Sequence, residues 1–93
     1  MSEQASRTVE IVNKRGLHAR ASAKFVNAVA ELPDELKVQV AKDGNEAAGG
    51  SILGLMMLGA AKGDTIEIAV TGPAAQQTLA GLVELVAGGF GED

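Results

Sequence analysis

The alternation of apolar and polar residues along the chain predicts four β-strands. Side chains of a strand point to opposite faces in turn, so a strand with one buried face carries an apolar residue at every second position. This pattern is clearest at Leu36–Ala41 and recurs at Arg7–Val12 and Thr65–Thr71. Asp43-Gly44 is typical of a tight hairpin turn, and it predicts that Asn45–Ala48 pairs back as a short third strand.

Three further stretches have the three- and four-residue apolar spacing of amphipathic helices. The first begins at or just after His18 and stops before Pro33, because proline lacks the N–H that a helix interior needs. The second is short and covers Ile52–Leu58. The third opens after Pro73 and ends before Gly88, and both residue types are typical of those helix positions.

These elements predict one α+β domain with the element order β-α-β-β-α-β-α. All the apolar faces are buried if three helices cover one face of a four-stranded antiparallel sheet. The 93 residues suffice for one such core, so we expect residues 1–93 to form a single domain. We expect the chain ends, residues 1–4 and 89–93, to be frayed.

The composition of the chain argues against several classes of function. The chain has no cysteine, which argues against disulfides and thiolate-metal sites. No apolar run is long enough to cross a bilayer, and the first residues do not resemble a signal peptide, so we expect a soluble cytoplasmic protein. We also expect it to be a monomer. A net charge of −4 and only 2% aromatic residues argue against nucleic-acid binding.

The histidine His18 is the strongest candidate for chemistry, because it is the only one and lies where a loop becomes a helix. A helix N-terminus presents unpaired N–H groups and a positive dipole end, which bind anions and favour a neutral, nucleophilic imidazole. The guanidinium of Arg20 could receive the charge of a phosphoryl group. The alternative is that His18 is an ordinary surface or capping residue. We expect no metal and no cofactor.

The second predicted helix has almost no polar residue, so it cannot be buried on all sides. Some of Ile52, Leu53 and Met56 should therefore lie at the surface, where an exposed apolar patch usually marks a partner contact. The alternative is a core helix that lies beneath a loop. Ser51 precedes this helix and is a typical N-cap residue.

Two segments together resemble the signatures of the HPr family, the histidine-containing phosphocarrier proteins of the phosphoenolpyruvate-dependent phosphotransferase system. Gly16-Leu17-His18-Ala19-Arg20 is similar to its phosphorylation-site signature, although Ala21-Ser22 stands where the family usually has Pro-Ala. Ser51–Gly59 is similar to its second signature, with Gly50 in place of a common lysine and Met57 in place of a common serine or threonine.

The resemblance implies an open-faced β-sandwich with strand order 1-4-2-3. It also implies that Nδ1 of His18 takes a phosphoryl group from phosphorylated enzyme I and gives it to IIA-type domains. The protein would be a substrate and a carrier at once, with Arg20 stabilising the phosphate. Ser51 would be a regulatory phosphorylation site, and an HPr kinase/phosphorylase would act on it. Partner docking would use Leu17, Ile52, Leu53 and Met56.

Two other function classes remain open at this point. One is a binding module that holds an anionic ligand at the start of the His18 helix without covalent chemistry. The other is a regulatory protein that acts through Ser51 and the apolar patch. Within the phosphocarrier hypothesis, sugar uptake and a relay for nitrogen or carbon regulation give the same sequence pattern, because they differ in their partners.

Overall fold

The computed structural model describes residues 3–92, and within this part of the chain four strands, three helices and one 3-10 turn follow each other in the predicted order. Their bounds are β1 Glu3–Glu10, α1 Ala19–Ala30, β2 Lys37–Lys42, β3 Asn45–Ala48, α2 Ile52–Met57, β4 Thr65–Gly72, α3 Ala75–Ala87 and the 3-10 turn Gly89–Gly91. Apart from β1, each strand and helix lies within about two residues of its prediction, which is the usual uncertainty of element ends.

The four strands form one antiparallel sheet in the order β1-β4-β2-β3. Ala5 pairs with Val70 between β1 and β4, and Val40 pairs with Ile68 between β2 and β4. The order 1-4-2-3 implied by the family resemblance is therefore confirmed, and so is the open-faced sandwich.

The core lies between one face of this sheet and the helices. Its largest fully buried apolar side chains come from the sheet, the helices, the loop after β1 and the 3-10 turn: Phe25, Phe90, Ile11, Leu55, Ile66, Ile68, Val40, Val70 and Val86. The opposite face of the sheet carries exposed polar residues such as Thr8, Gln39 and Glu67. The period-two pattern of the strands thus separates a buried face from a solvated one. Within residues 3–92, none of the helices has the length and apolar character needed to cross a membrane.

The first strand starts earlier than its apolar pattern suggested. Glu3 pairs with Gly72 and Gln4 with Thr71, so the expected fraying is wrong for these two residues. The small side chain of Ala5, 7% exposed, continues the buried face of the strand, and backbone pairing needs no apolar side chain at the two positions before it. Met1 and Ser2, for which fraying was also expected, lie outside the described residues.

The chain end was also expected to fray, and this is wrong for residues 89–92, which we call the C-terminal strap. Phe90 is 1% exposed and lies in the core, although its φ of 58° is in the left-handed region. Burying a phenylalanine side chain contributes about 2–3 kcal/mol, whereas a left-handed residue costs roughly 1–2 kcal/mol. Burial therefore outweighs the backbone strain. Asp93 lies outside the described residues.

Candidate functional site

The loop between β1 and α1 is held rigidly against the segment that follows α2. Gly16 has φ 64°, and a side chain there would collide with the carbonyl group of Ala60. The amide of Leu17 donates to that same carbonyl over 3.0 Å, and the buried Asn13 donates from Nδ2 to the carbonyl of Gly16 over 2.8 Å. These contacts fix the path of the chain immediately before His18.

His18 is the N-cap of α1, in an extended conformation with φ −73° and ψ −179°. Its Nδ1 accepts a hydrogen bond from the backbone N–H of Arg20 at 3.3 Å, within the first turn of the helix. The side chain is 18% exposed, so one edge of the ring remains accessible. The predicted placement of His18 at the helix start is confirmed, and Nδ1 is the ring nitrogen that faces the helix N–H groups.

The other ring nitrogen contacts the C-terminal strap. Nε2 of His18 lies 2.8 Å from Oε2 and 3.1 Å from Oε1 of Glu92, whose side chain is 16% exposed. An ionised carboxylate only accepts hydrogen bonds, so these distances assign the ring proton to Nε2 and leave the lone pair on Nδ1. The hydrogen bond from the N–H of Arg20 to Nδ1 requires the same assignment, because a nitrogen that accepts a hydrogen bond must carry a lone pair and no proton.

Glu92 is itself held in place by its neighbours. Asn13 Nδ2 donates to Oε1 of Glu92 over 3.0 Å, and Lys24 Nζ donates to the carbonyl of Phe90 over 2.7 Å. Desolvation opposes ionisation of the carboxyl, but the hydrogen bonds from Asn13 and His18 and the charges of His18 and Lys24 outweigh it. The pKa of Glu92 is therefore below its ordinary value. Its carboxylate is ionised near neutral pH.

A cleft of about 400 Å³ opens in front of the histidine and is lined mostly by charged side chains. The charged residues are Lys14, Arg15, Arg20, Lys24 and Glu92, and His18 and Gly91 complete the lining. Four cations against one carboxylate make this cleft attractive to an anion. Arg20 is exposed and lines the cleft beside His18, as the sequence predicted.

Ser51 caps α2 as expected. Its Oγ accepts a hydrogen bond from the backbone N–H of Gly54 at 2.9 Å, and the residue is half-buried. The capping role alone accounts for this serine structurally, while its hydroxyl lies at the start of a helix whose positive end would favour a negative charge. Regulatory phosphorylation of Ser51 stays a prediction.

The side chains of α2 divide between core and surface. Leu55 is fully buried, whereas Ile52 and Met56 are each 41% exposed and Leu53 is 69% exposed. Met57, which was not included among the predicted docking residues, is 77% exposed. We call Ile52, Leu53, Met56 and Met57 the α2 apolar patch. α1 packs against α2, and the loop before His18 is bonded to Ala60 just after α2, so the helix that carries this patch lies beside the helix that begins after His18.

The prediction that Leu17 docks partners is wrong. Its side chain is 5% exposed and belongs to the core, because the turn at Gly16 and the bond to Ala60 direct it inward. Its carbonyl accepts a hydrogen bond from the hydroxyl of the buried Ser22 at 3.2 Å, which explains how a serine is tolerated beneath the loop. With its side chain in the core, Leu17 is not available to a partner surface.

Three residues of the site were missed from the sequence: Asn13, Lys24 and Glu92. Asn13 looked like an ordinary turn residue, and Lys24 lies on the exposed side of α1. Glu92 is 74 positions away from His18, and no periodicity connects them. The one available signal was the isolated Phe90, since an apolar residue close to a charged one in a polar tail can anchor that tail on the domain.

An open-faced sandwich that holds a histidine lone pair at a helix start, within a cationic cleft, defines a class of protein: a phosphocarrier. Residues 5–88 match the family model described as the PTS HPr component phosphorylation site. The chain therefore belongs to the HPr family of phosphotransferase-system phosphocarriers, as its two signatures indicated.

Relatives and solved structures agree with this assignment. The phosphocarrier protein HPr of Neisseria meningitidis serogroup A is 45% identical over 85 residues, which cover 91% of this chain and 93% of that protein. The phosphocarrier protein NPr of Escherichia coli K12 is 40% identical over 86 residues, covering 92% and 94%. The crystal structure of HPr-C-His from Thermoanaerobacter tengcongensis superimposes with a TM-score of 0.87 at 34% identity, covering 96% of this chain and 98% of that one.

Proposed function

We propose that Nδ1 of His18 is the atom that carries the phosphoryl group, received from phosphorylated enzyme I and passed to IIA-type domains. The family implies partners of these two kinds within the phosphotransferase system. The observation that supports His18 most directly is its geometry: Nε2 is engaged by Glu92, while the lone pair of Nδ1 faces the first turn of α1.

The surroundings of Nδ1 suit a group that arrives and leaves. A phosphoryl group on Nδ1 would extend toward the backbone N–H of Arg20, which now donates to the lone pair at 3.3 Å. This long hydrogen bond is easily exchanged for a shorter, charge-assisted one to a phosphoryl oxygen. The guanidinium of Arg20 lines the same cleft and can meet the developing negative charge.

The α2 apolar patch supports a proposal for partner docking. Ile52, Leu53, Met56 and Met57 are all more than two-fifths exposed, and methionine side chains adapt to differently shaped partner surfaces. We propose that enzyme I and IIA domains bind across this patch so that their reactive histidine reaches the cleft. An HPr kinase/phosphorylase acting on Ser51 would add charge at the patch's border and weaken that docking.

The relay works in the cytoplasm under this proposal, and it serves either sugar uptake or a regulatory branch. The chain is similar both to proteins named HPr and to proteins named NPr, at 45% and 40% identity for the two relatives described above. The two branches differ in the IIA domain that receives the group. Transfer from the phosphorylated chain to a panel of IIA domains from the same cell assigns the branch.

The experiment that tests the carrier role combines the chain with enzyme I, Mg²⁺ and phosphoenolpyruvate. Mass spectrometry should show one added phosphoryl group, stable in base and lost in acid, as a phosphorus–nitrogen bond requires. The His18→Ala variant should remain unmodified. Addition of the group to that variant, or failure of the parent chain to accept it, would show that His18 is not the carrier.

A further inference from the structure

The carboxylate of Glu92 is placed where it can control the chemistry of His18. It is within hydrogen-bonding distance of Nε2 through both oxygens, at 2.8 and 3.1 Å, and Asn13 fixes one of them at 3.0 Å. We propose that Glu92 is a positioning residue for phosphoryl transfer: it keeps the ring proton on Nε2, reserves the lone pair of Nδ1 for phosphorus, and balances the charge that the ring gains. This inference rests on the proposed function of His18.

The bonding changes show why the proton must stay on Nε2. As the Nδ1 lone pair forms a bond to phosphorus, the phosphorus–nitrogen bond of the donor histidine breaks and its electron pair returns to the donor. The Nε2 proton does not move, so the His18 ring changes from neutral to positively charged. In the onward transfer the electron pair returns to Nδ1, and the ring becomes neutral again.

A carboxylate at Nε2 affects both the formation and the breaking of the phosphorus–nitrogen bond. Without the proton on Nε2, breaking the bond at Nδ1 would release an anionic ring, which is a poor leaving group. A carboxylate at 2.8 Å retains the proton and offsets the positive charge of the phosphorylated ring. A side chain that contacts the far nitrogen of a reactive histidine sets which nitrogen reacts. Glu92 thereby keeps the ring ready for transfer in both directions.

The location of the carboxylate limits its repulsion of the phosphoryl group. It faces Nε2, on the opposite side of the ring from Nδ1, while Lys14, Arg15, Arg20 and Lys24 line the cleft. Its position is set from three directions, because Asn13 holds the carboxylate, Lys24 holds the carbonyl of Phe90, and Phe90 is buried in the core. Because the carboxylate of Glu92 is held in this position, its contact with Nε2 is a fixed feature of the site.

Nitrogen NMR tests the proposal directly, since His18 is the only histidine and every ring signal of the untagged chain belongs to it. In Glu92→Gln the amide NH₂ can donate to Nε2, and this favours the opposite tautomer. We expect the parent to show a proton on Nε2 above neutral pH and Glu92→Gln to shift toward a proton on Nδ1. Glu84→Gln removes the same charge from an exposed site on α3 and should retain the parent spectrum.

Transfer kinetics with enzyme I provide the second readout. The maximal rate of Glu92→Gln should fall by roughly tenfold or more, by analogy with the loss seen when the hydrogen-bond partner of a metal-ligating histidine is removed. KM should change little, because Glu92 lies outside the α2 apolar patch. A parent-like tautomer in Glu92→Gln, or an unchanged maximal rate, would overturn the proposal. Failure of the parent to accept phosphate would instead refute the role of His18, and the ring spectra would still report what Glu92 does.

Discussion

Replacing Phe90 by alanine separates the stability of the C-terminal strap from that of the domain. A buried phenylalanine replaced by alanine in a protein core usually costs about 3–5 kcal/mol. The strap is the last described part of the chain, so it can detach while the sheet and the three helices remain folded. The loss is therefore limited to what docking of the strap contributes.

That contribution can be worked out from the structure. Burial of Phe90 contributes about 2–3 kcal/mol, and detachment would release the left-handed strain of roughly 1–2 kcal/mol at φ 58°. The hydrogen bonds from Lys24, Asn13 and His18 to the strap add about 0.5–1.5 kcal/mol each, and the entropy of ordering the strap opposes them. We expect Phe90→Ala to lower the free energy of unfolding by no more than about 2–3 kcal/mol.

The other phenylalanine provides a matched control. Phe25 is also 1% exposed, but it lies in the middle of α1 and cannot leave the core without the helix. Phe25→Ala should therefore cost the full amount, about 3–5 kcal/mol. Urea unfolding followed by circular dichroism measures both variants, and Phe90→Ala should also show a smaller m-value because its native state already exposes the strap. Equal losses with equal m-values would show that the strap does not detach separately.

Three further predictions concern the site and its regulation. Arg20→Ala should keep the circular dichroism spectrum and slow phosphoryl transfer roughly 10-fold to 100-fold, because it removes one charge-assisted hydrogen bond worth about 1.5–3 kcal/mol. A parent-like rate would show that the backbone N–H groups alone stabilise the phosphoryl group during transfer. Ser51→Asp should raise the KM for enzyme I more than Ser51→Ala does, with similar maximal rates. Equal KM values would show that Ser51 acts only as a helix cap. Because the pKa of Glu92 is lowered on folding, its stabilising contribution is present near neutrality and is lost as the pH falls below the ordinary range of a glutamate carboxyl. The difference in urea stability between the parent and Glu92→Gln should vanish in that acidic range, and a constant difference would contradict the linkage.

The sequence predicted the parts of this fold that depend on periodicity. Periodicity indicates which face of a strand or helix is buried. Examples are the alternation at Leu36–Ala41 and Thr65–Thr71 and the helical spacing after His18. The resemblance supplied the strand order, which local patterns do not contain. Leu17 shows where such reasoning fails, because one apolar residue in a turn can point either way and the packing around Ala60 decides the direction.

The strap could not be predicted because its stability comes from contacts that are distant in sequence. Two of its four residues are glycines, at 89 and 91, and Gly88 precedes it. Such a composition normally indicates a flexible end. A single side chain, Phe90, finds a place in the core formed by the sheet and helices, and Lys24 and Asn13 then reach the backbone and carboxylate of the strap. Glu92 is thus ordered by residues that carry no pattern of their own.

A phosphocarrier must hold its cargo without trapping it, and the arrangement of charges around His18 meets both requirements. The side chains of Lys14, Arg15 and Arg20 are exposed, and a solvent-exposed charge pair contributes only about 0–1 kcal/mol to holding the bound group. The larger effect expected of Arg20 is on the charge that develops during transfer. The cleft therefore attracts a phosphoryl group without deep stabilisation. The close contact of the site is the one between Glu92 and Nε2, and it acts on the ring rather than on the phosphate. Because it keeps the proton on Nε2, the ring leaves as a neutral imidazole when the phosphoryl group is passed on, and this eases transfer without adding a contact that holds the phosphate.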